Sequence, residues 1–168
     1  MPVIQASEKY FLDVVFLLRS SVRDMNRKNM FHWNTSYPSV DTIREDISTG
    51  TLYICKEKGI CQGMIVINNS QSEEYQDIKW KTRSENVLIV HRLAVNPIFH
   101  GKGIGKKLTE FTIQYGQEKG FSAVRLDVIN SNREANHMYL EMGFNKTGSF
   151  QFPFQKTQFI CYELPIND

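Results

Sequence analysis

Few cysteines, no long apolar run and no tract of like charge mark this sequence, and each absence closes off a class of protein. Cys55, Cys61 and Cys161 are its only cysteines. They are odd in number and sit in strand-like segments, so they read as reduced thiols rather than a disulfide framework. Cys55 and Cys61 lack zinc-ligand spacing and a nearby histidine pair, so no metal site is expected. No apolar stretch approaches the ~20 residues of a membrane span. The opening MPVIQASEKYF lacks a basic region followed by an apolar one, so no signal peptide and no membrane partner are expected. The expected location is cytoplasmic. A net charge of +2 without a basic tract argues against a nucleic-acid partner. Repeats, linkers and low-complexity segments are missing too. Residues 1–168 read as a single domain, long enough to bury a core.

What is present is clear periodicity. Val3–Gln5 reads as a first strand. Phe11, Val14, Val15, Leu18 and Val22 fall at helical spacing between Ser7 and Met25. The aromatic stretch that follows reads as a loop with short helical pieces. Ser39 is placed to cap a short helix through Ile43 and Ile47 that Gly50 stops. Leu52–Lys56 and Ile60–Asn68 form a hairpin pattern around Glu57-Lys58-Gly59. Residues 68–85 are polar and read as a surface loop, although Tyr75, Ile78 and Trp80 interrupt it. Asn86–Val95 is the strongest strand. A helix face through Ile104, Leu108, Phe111 and Tyr115 ends ahead of Gly120. Ala123–Val128 is a strand. Ser131-Asn132-Arg133-Glu134 has capping-box form before a helix carrying Ala135, Met138, Tyr139 and Met142, which Gly143 ends. Asn145–Phe152 and Gln158–Leu164 are the last strands. The alternation is an α/β mixture.

The chemistry-bearing segment is His91–Leu108, HRLAVNPIFHGKGIGKKL. A strand runs into Gly101, Gly103 and Gly105 and then into a helix with Lys106 and Lys107 in its first turns. Glycines let the backbone come close to a ligand, and a helix N-terminus offers unpaired N–H groups and the positive end of a dipole. The pattern is a phosphate cradle. It is not a dinucleotide fingerprint, because the glycines read G-x-G-x-G and lie two-thirds of the way along the chain. It is not a Walker loop, and the rest of a kinase signature is missing.

Two motifs together resemble the GNAT acyltransferase superfamily. The family's [QR]-x-x-G-x-[GA] motif is matched by His100-Gly101-Lys102-Gly103-Ile104-Gly105, preceded by the strand Arg92–Val95. Its second signature is matched by Asn132, Ala135, Tyr139, Gly143 and Phe144. The resemblance implies a largely antiparallel mixed sheet of about seven strands flanked by about four helices. It implies acetyl-coenzyme A as acetyl donor and no metal. His100 departs from the family's usual Gln or Arg, and a histidine is fully charged only in acid.

The resemblance also assigns roles. His100, Gly101, Lys102, Gly103, Ile104, Gly105 and Lys106 would surround the pyrophosphate. The backbone of Leu93, Ala94 and Val95 would pair with the pantetheine arm, and a backbone N–H there, that of Val95, would hold an oxyanion. Asn132, with Ala135 one turn on, would contact the same arm. Asn132 also reads as a plain N-cap, with Ser131 competing for that cap through Glu134 and leaving Asn132 to face the cofactor. Tyr139 would protonate the departing thiolate, whereas periodicity alone makes it a core residue beside Ala135 and Met142. His91, Glu141 or a carboxylate of the early loops would take the proton of the amine; His91 reads equally as a half-buried strand histidine. Trp33, Tyr37, Trp80 and Phe152 would wall the acceptor site or simply pack as core and lid.

The expected function is N-acetylation of a primary amine, on a small molecule or a peptide, by direct attack in a ternary complex. A non-catalytic acyl-coenzyme A binding or sensor module is the alternative. A homodimer is compatible with such folds.

Overall fold

The computed structural model describes residues 2–167. Its elements run β1 Val3–Gln5, α1 Phe11–Arg27, α2 Val40–Ser48, β2 Leu52–Glu57, β3 Ile60–Asn68, β4 Val87–Val95, α3 Ile104–Lys119, β5 Ala123–Ile129, α4 Arg133–Glu141, β6 Asn145–Gln151 and β7 Gln158–Pro165. Short 3-10 turns sit at Glu8–Tyr10, Glu73–Asp77 and Pro97–Phe99. The seven strands form one mixed sheet in the order β1-β2-β3-β4-β5-β7-β6. Contacts divide the chain into two compact units: the chain up to Ile67 with His91–Phe111, and Asn68–Val90 with the chain from Thr112 onward.

In the first unit β1, β2 and β3 are antiparallel neighbours. α1 forms because Val14, Leu17, Leu18 and Val22 recur at helical spacing and all become buried. α2 starts where expected, with the Ser39 hydroxyl accepting the Thr42 N–H at 3.1 Å. Both helices lay their apolar faces on Leu52, Ile54, Met64 and Val66. Burying a side chain of this size contributes about 1.5–3 kcal/mol. Trp33 belongs to this core cluster. The Asn26 side chain ties the loop behind it by donating to the carbonyls of Met30 and Trp33, both at 2.9 Å.

In the second unit β5 pairs with β7 and β7 with β6, all antiparallel. Val87–Ile89 of β4 lie parallel to Ala123–Arg125 of β5. Both strands continue past that pairing, β4 to Val95 and β5 to Ile129.

Residues 68–85 are not a plain surface loop. Tyr75 is buried against Val87, Ile89, Ala123 and Cys161. The wholly buried Glu163 carboxylate accepts the N–H groups of Lys81 and Thr82 and the Nε–H of Arg125. Arg125 also donates to the Thr82 carbonyl and the Gln71 side chain, with its guanidinium 4.4 Å from the Trp80 ring. A polar composition conceals this strap because its anchors are carboxylates and an arginine at a distance in sequence.

Candidate active site and cofactor loop

The end of β4 is held from α1 and α2. Arg92 points to α2, where its Nε donates to Asp46 Oδ2 at 3.0 Å and its Nη2 to Oδ1 at 2.6 Å. Ala94, two residues on, is buried in the core that α1 and α2 cover. His91, Leu93 and Val95 alternate with them and are half-buried. The Ser21 hydroxyl of α1 donates to the Val95 carbonyl at 3.1 Å. Burial pushes the Asp46 carboxyl up in pKa, against the pull of Arg92.

Beyond Val95 the chain turns into the glycine loop. The N–H of the buried Asn96 donates to the Gln62 carbonyl, and its side chain accepts the Ile98 N–H at 3.3 Å. His100 is exposed, with Nε2 3.3 Å from the Val95 carbonyl and Nδ1 4.0 Å from Asp24. The three glycines are not equivalent. Gly101 and Gly103 have φ of +78° and +77°, a region that L side chains rarely adopt. Gly105 lies within α3. The α3 ladder is in place at Lys107, whose N–H donates to the Gly103 carbonyl at 3.0 Å, so the N–H groups of the first turn precede it. A Cβ on Gly101 or Gly103 would meet no atom within 4 Å, so open space lies over the loop. Positive φ, open space and first-turn N–H groups fit an anionic pyrophosphate.

Gly63 positions that helix start, and its part was not legible from the sequence. A Cβ there would lie 2.8 Å from Ile104 Cγ2 and 2.9 Å from Leu108 Cδ1. Only glycine lets β3 and the first turns of α3 approach so closely.

In the second unit Tyr139 is 3% exposed on α4, its ring 5.4 Å from that of Phe144 and 6.1 Å from that of Tyr162. Of the two readings of Asn132, the structure shows the cap. It is itself the N-cap of α4, its Oδ1 accepting the Ala135 N–H at 3.1 Å. Ser131 does not take that cap, so the side-chain oxygen of Asn132 is committed to the helix. Tyr75 donates to Asp127 on β5 at 2.7 Å, and burial raises the pKa of both.

The expected aromatic wall is divided. Trp33 is in the core of the first unit, and the Tyr37 hydroxyl there accepts from Arg92 Nη1 at 2.9 Å. Trp80 belongs to the second unit, its Nε1–H donating to the Tyr75 carbonyl. Phe152 joins Phe150, Phe154 and Phe159 in a cluster of rings 5.4–5.9 Å apart.

All three cysteines are buried. Burial pushes the Cys61 and Cys161 thiols up to about 12 and raises Cys55 as well. These groups stay protonated at neutral pH and are poor nucleophiles.

Known proteins resemble this chain in sequence or in fold. N-acetyltransferase 8B of Mus musculus is 33% identical over 88 residues, which are 52% of this chain and 38% of that protein. The [ribosomal protein bS18]-alanine N-acetyltransferase of Haemophilus ducreyi is 31% identical over 90 residues, 46% of this chain and 61% of that protein. The matched part thus spans less than two thirds of these curated relatives. A crystal structure of a GNAT-family acetyltransferase from Streptococcus agalactiae superposes with a TM-score of 0.80 at 18% identity, covering 99% of this chain and 95% of that one. That likeness is one of fold. The family model described as the acetyltransferase (GNAT) family matches residues 19–144, most of the chain, and the protein belongs to that family.

Proposed function

We propose that the protein is an acetyl-coenzyme A-dependent N-acetyltransferase acting on a primary amine. The observation that carries this reading is the loop of Gly101 and Gly103, left-handed and open, feeding the first turn of α3. The backbone N–H groups there bind the pyrophosphate, and Lys102 and Lys106 add charge. The ring of His100 is exposed, which leaves the backbone to carry the binding. The backbone of Leu93–Val95 pairs with the pantetheine arm, in the family's manner, and the Val95 N–H donates to the carbonyl oxygen as charge gathers on it.

Bound acetyl-coenzyme A supplies an electrophilic thioester carbonyl. His91 takes a proton from the attacking amine, and Tyr139 gives one to the departing thiolate. Direct attack in a ternary complex is supported by the buried, protonated state of all three thiols, which makes an acyl-cysteine route unfavourable. Asn132 and Ala135 act by fixing the start of the helix that carries Tyr139. The acceptor is a small-molecule or peptide amine, and the protein works in the cytoplasm. Among the described residues no helix is long and apolar enough to cross a membrane.

The test is thiol release from acetyl-coenzyme A across a panel of amines. The panel includes amino acids, polyamines and a peptide with an N-terminal alanine, the last suggested by the Haemophilus ducreyi relative. Acceptor-dependent release is expected. Binding of coenzyme A without release for any acceptor would instead favour a non-catalytic acyl-coenzyme A sensor.

A further inference from the structure

A groove outside the cofactor loop carries charge that the acetyl-transfer reading does not use. It lies between α1 and α2, has a volume of about 570 Å³, and includes Arg19, Arg23 and Arg27 but no carboxylate in its lining. Its floor is apolar: Leu18, Val22 and Ile43 are each less than a tenth exposed. Three neutral polar side chains of its walls, Asn26, Asn34 and Ser39, are already engaged. Asn26 donates to the Met30 and Trp33 carbonyls, Asn34 accepts the N–H groups of Ser36 and Tyr37, and Ser39 caps α2.

The arginines are different. They are exposed, and among the described residues no carboxylate lies within ion-pair distance of them. For a chain of net charge +2, three unpaired guanidinium groups in one groove are a concentration of charge. They are spaced four residues apart, so they rise about 6 Å per step along α1. The same outward face of α1 continues through Phe16 and Leu12, which are 69% and 75% exposed. The surface is thus an apolar floor with a row of cations along one rim and an apolar extension at one end.

We propose that this groove docks an acidic, amphipathic peptide segment, a partner distinct from the acetyl donor. Carboxylates one helical turn apart would match the arginine row, each as a charge-assisted pair. Apolar side chains between them would cover the floor, the helix-in-groove mode of recognition. A nucleic acid would satisfy the arginines but leave the apolar floor uncovered, which is why a peptide is favoured.

The probe is a fluorescein-labelled helical peptide of glutamate and leucine with glutamates four residues apart, followed by anisotropy against the full chain. The expected result is saturable binding that weakens with salt and falls about tenfold or more in an Arg19→Gln, Arg23→Gln, Arg27→Gln triple variant. Val40→Glu, which places a carboxylate in the groove, should weaken it as well. The three arginines are exposed and Val40 is half-buried, so unchanged melting and coenzyme A affinity are required of each variant as the check that its fold is intact. The proposal is overturned by no saturable binding, by equal binding of the triple variant, by equal binding of a glutamine-for-glutamate peptide, or by tighter binding of a labelled RNA oligomer than of the peptide.

Discussion

Arg92 of β4 grips Asp46 of α2 with two nitrogens and spends a third on the Tyr37 hydroxyl. The two side chains of the ion pair are only 12% and 10% exposed. This fork locks the strand that leads into the glycine loop onto the helical layer. Removing one partner of a pair this buried strands the other charge, at a cost of about 3 kcal/mol or more. Arg92→Ala should therefore lower the melting temperature by roughly 6–12 °C for a domain of this size. Arg92→Lys keeps the charge and loses the fork, so a smaller fall is expected. Thermal denaturation followed by circular dichroism reads both, and equal melting of wild type and Arg92→Ala would show that the pair contributes nothing.

A second handle is pH. Burial lowers the pKa of His32 from 6.5 to about 4. Between those values the unfolded chain binds a proton that the folded chain does not. Stability contributed by the neutral ring is therefore fully present above pH ~6.5 and is lost as the pH falls toward ~4, by up to about 3 kcal/mol. Carboxylates add their own slope in acid, so the useful quantity is a difference. Urea denaturation at pH 7 and pH 4.5 should show a smaller acid loss for His32→Gln than for wild type.

Local features were readable from the sequence and long-range ones were not. The Ser39 cap, the hairpin around Gly59 and the glycine loop each depend on residues within one turn, and all appear where expected. Ser131 and Asn132 are both good capping types, so the sequence offers two caps for α4, and only the backbone decides which oxygen reaches the Ala135 N–H. Arg92 and Asp46 are 46 positions apart, and Glu163 lies 82 positions from Lys81. Pattern carries no signal for such pairs. The surroundings of Trp33, Tyr37, Trp80 and Phe152 were hidden in the same way: Trp33 lies in the core with α1 and α2, Tyr37 accepts from Arg92, Trp80 donates to the Tyr75 carbonyl and Phe152 packs on Phe150 and Phe159.

Gly103 separates a turn from a binding loop. Its φ of +77° makes any side chain strained there, at about 1–2 kcal/mol, although no neighbouring atom would be struck. A valine would also fill the open space where the pyrophosphate is proposed to lie. Gly103→Val should abolish coenzyme A binding by calorimetry, with Gly103→Ala intermediate and the helix content of both near that of wild type. Wild-type affinity in Gly103→Val would reduce the loop to a helix cap.

Tyr139 tests the proposed chemistry apart from binding. Its phenol sits among Phe144 and Tyr162, so Tyr139→Phe keeps the ring packing and removes one hydroxyl. Loss of a general acid should lower turnover about a hundredfold. Coenzyme A affinity should be unchanged. Parallel measurement of thiol release and calorimetric affinity distinguishes the two, and an unchanged turnover would leave Tyr139 as a core residue only.

Gly63 links packing in β3 to the glycine loop through the first turns of α3. The methyl of an alanine there would approach Ile104 and Leu108 to under 3.0 Å, and the Ala94 carbonyl to 3.3 Å. The carbonyl is backbone, and Ile104 and Leu108 are 4% and 0% exposed, so none of the three has free room to retreat. The first turn of α3 must shift outward instead, and with it the N–H groups that follow Gly103. Overpacking of this kind costs about 1–3 kcal/mol. Gly63→Ala should therefore destabilise the fold and weaken coenzyme A binding together, with Gly63→Val worse in both. Denaturant midpoints and calorimetric affinities on the same samples check the coupling. A loss of stability at full affinity would show that α3 keeps its first turn in place and that the strain is absorbed in β3.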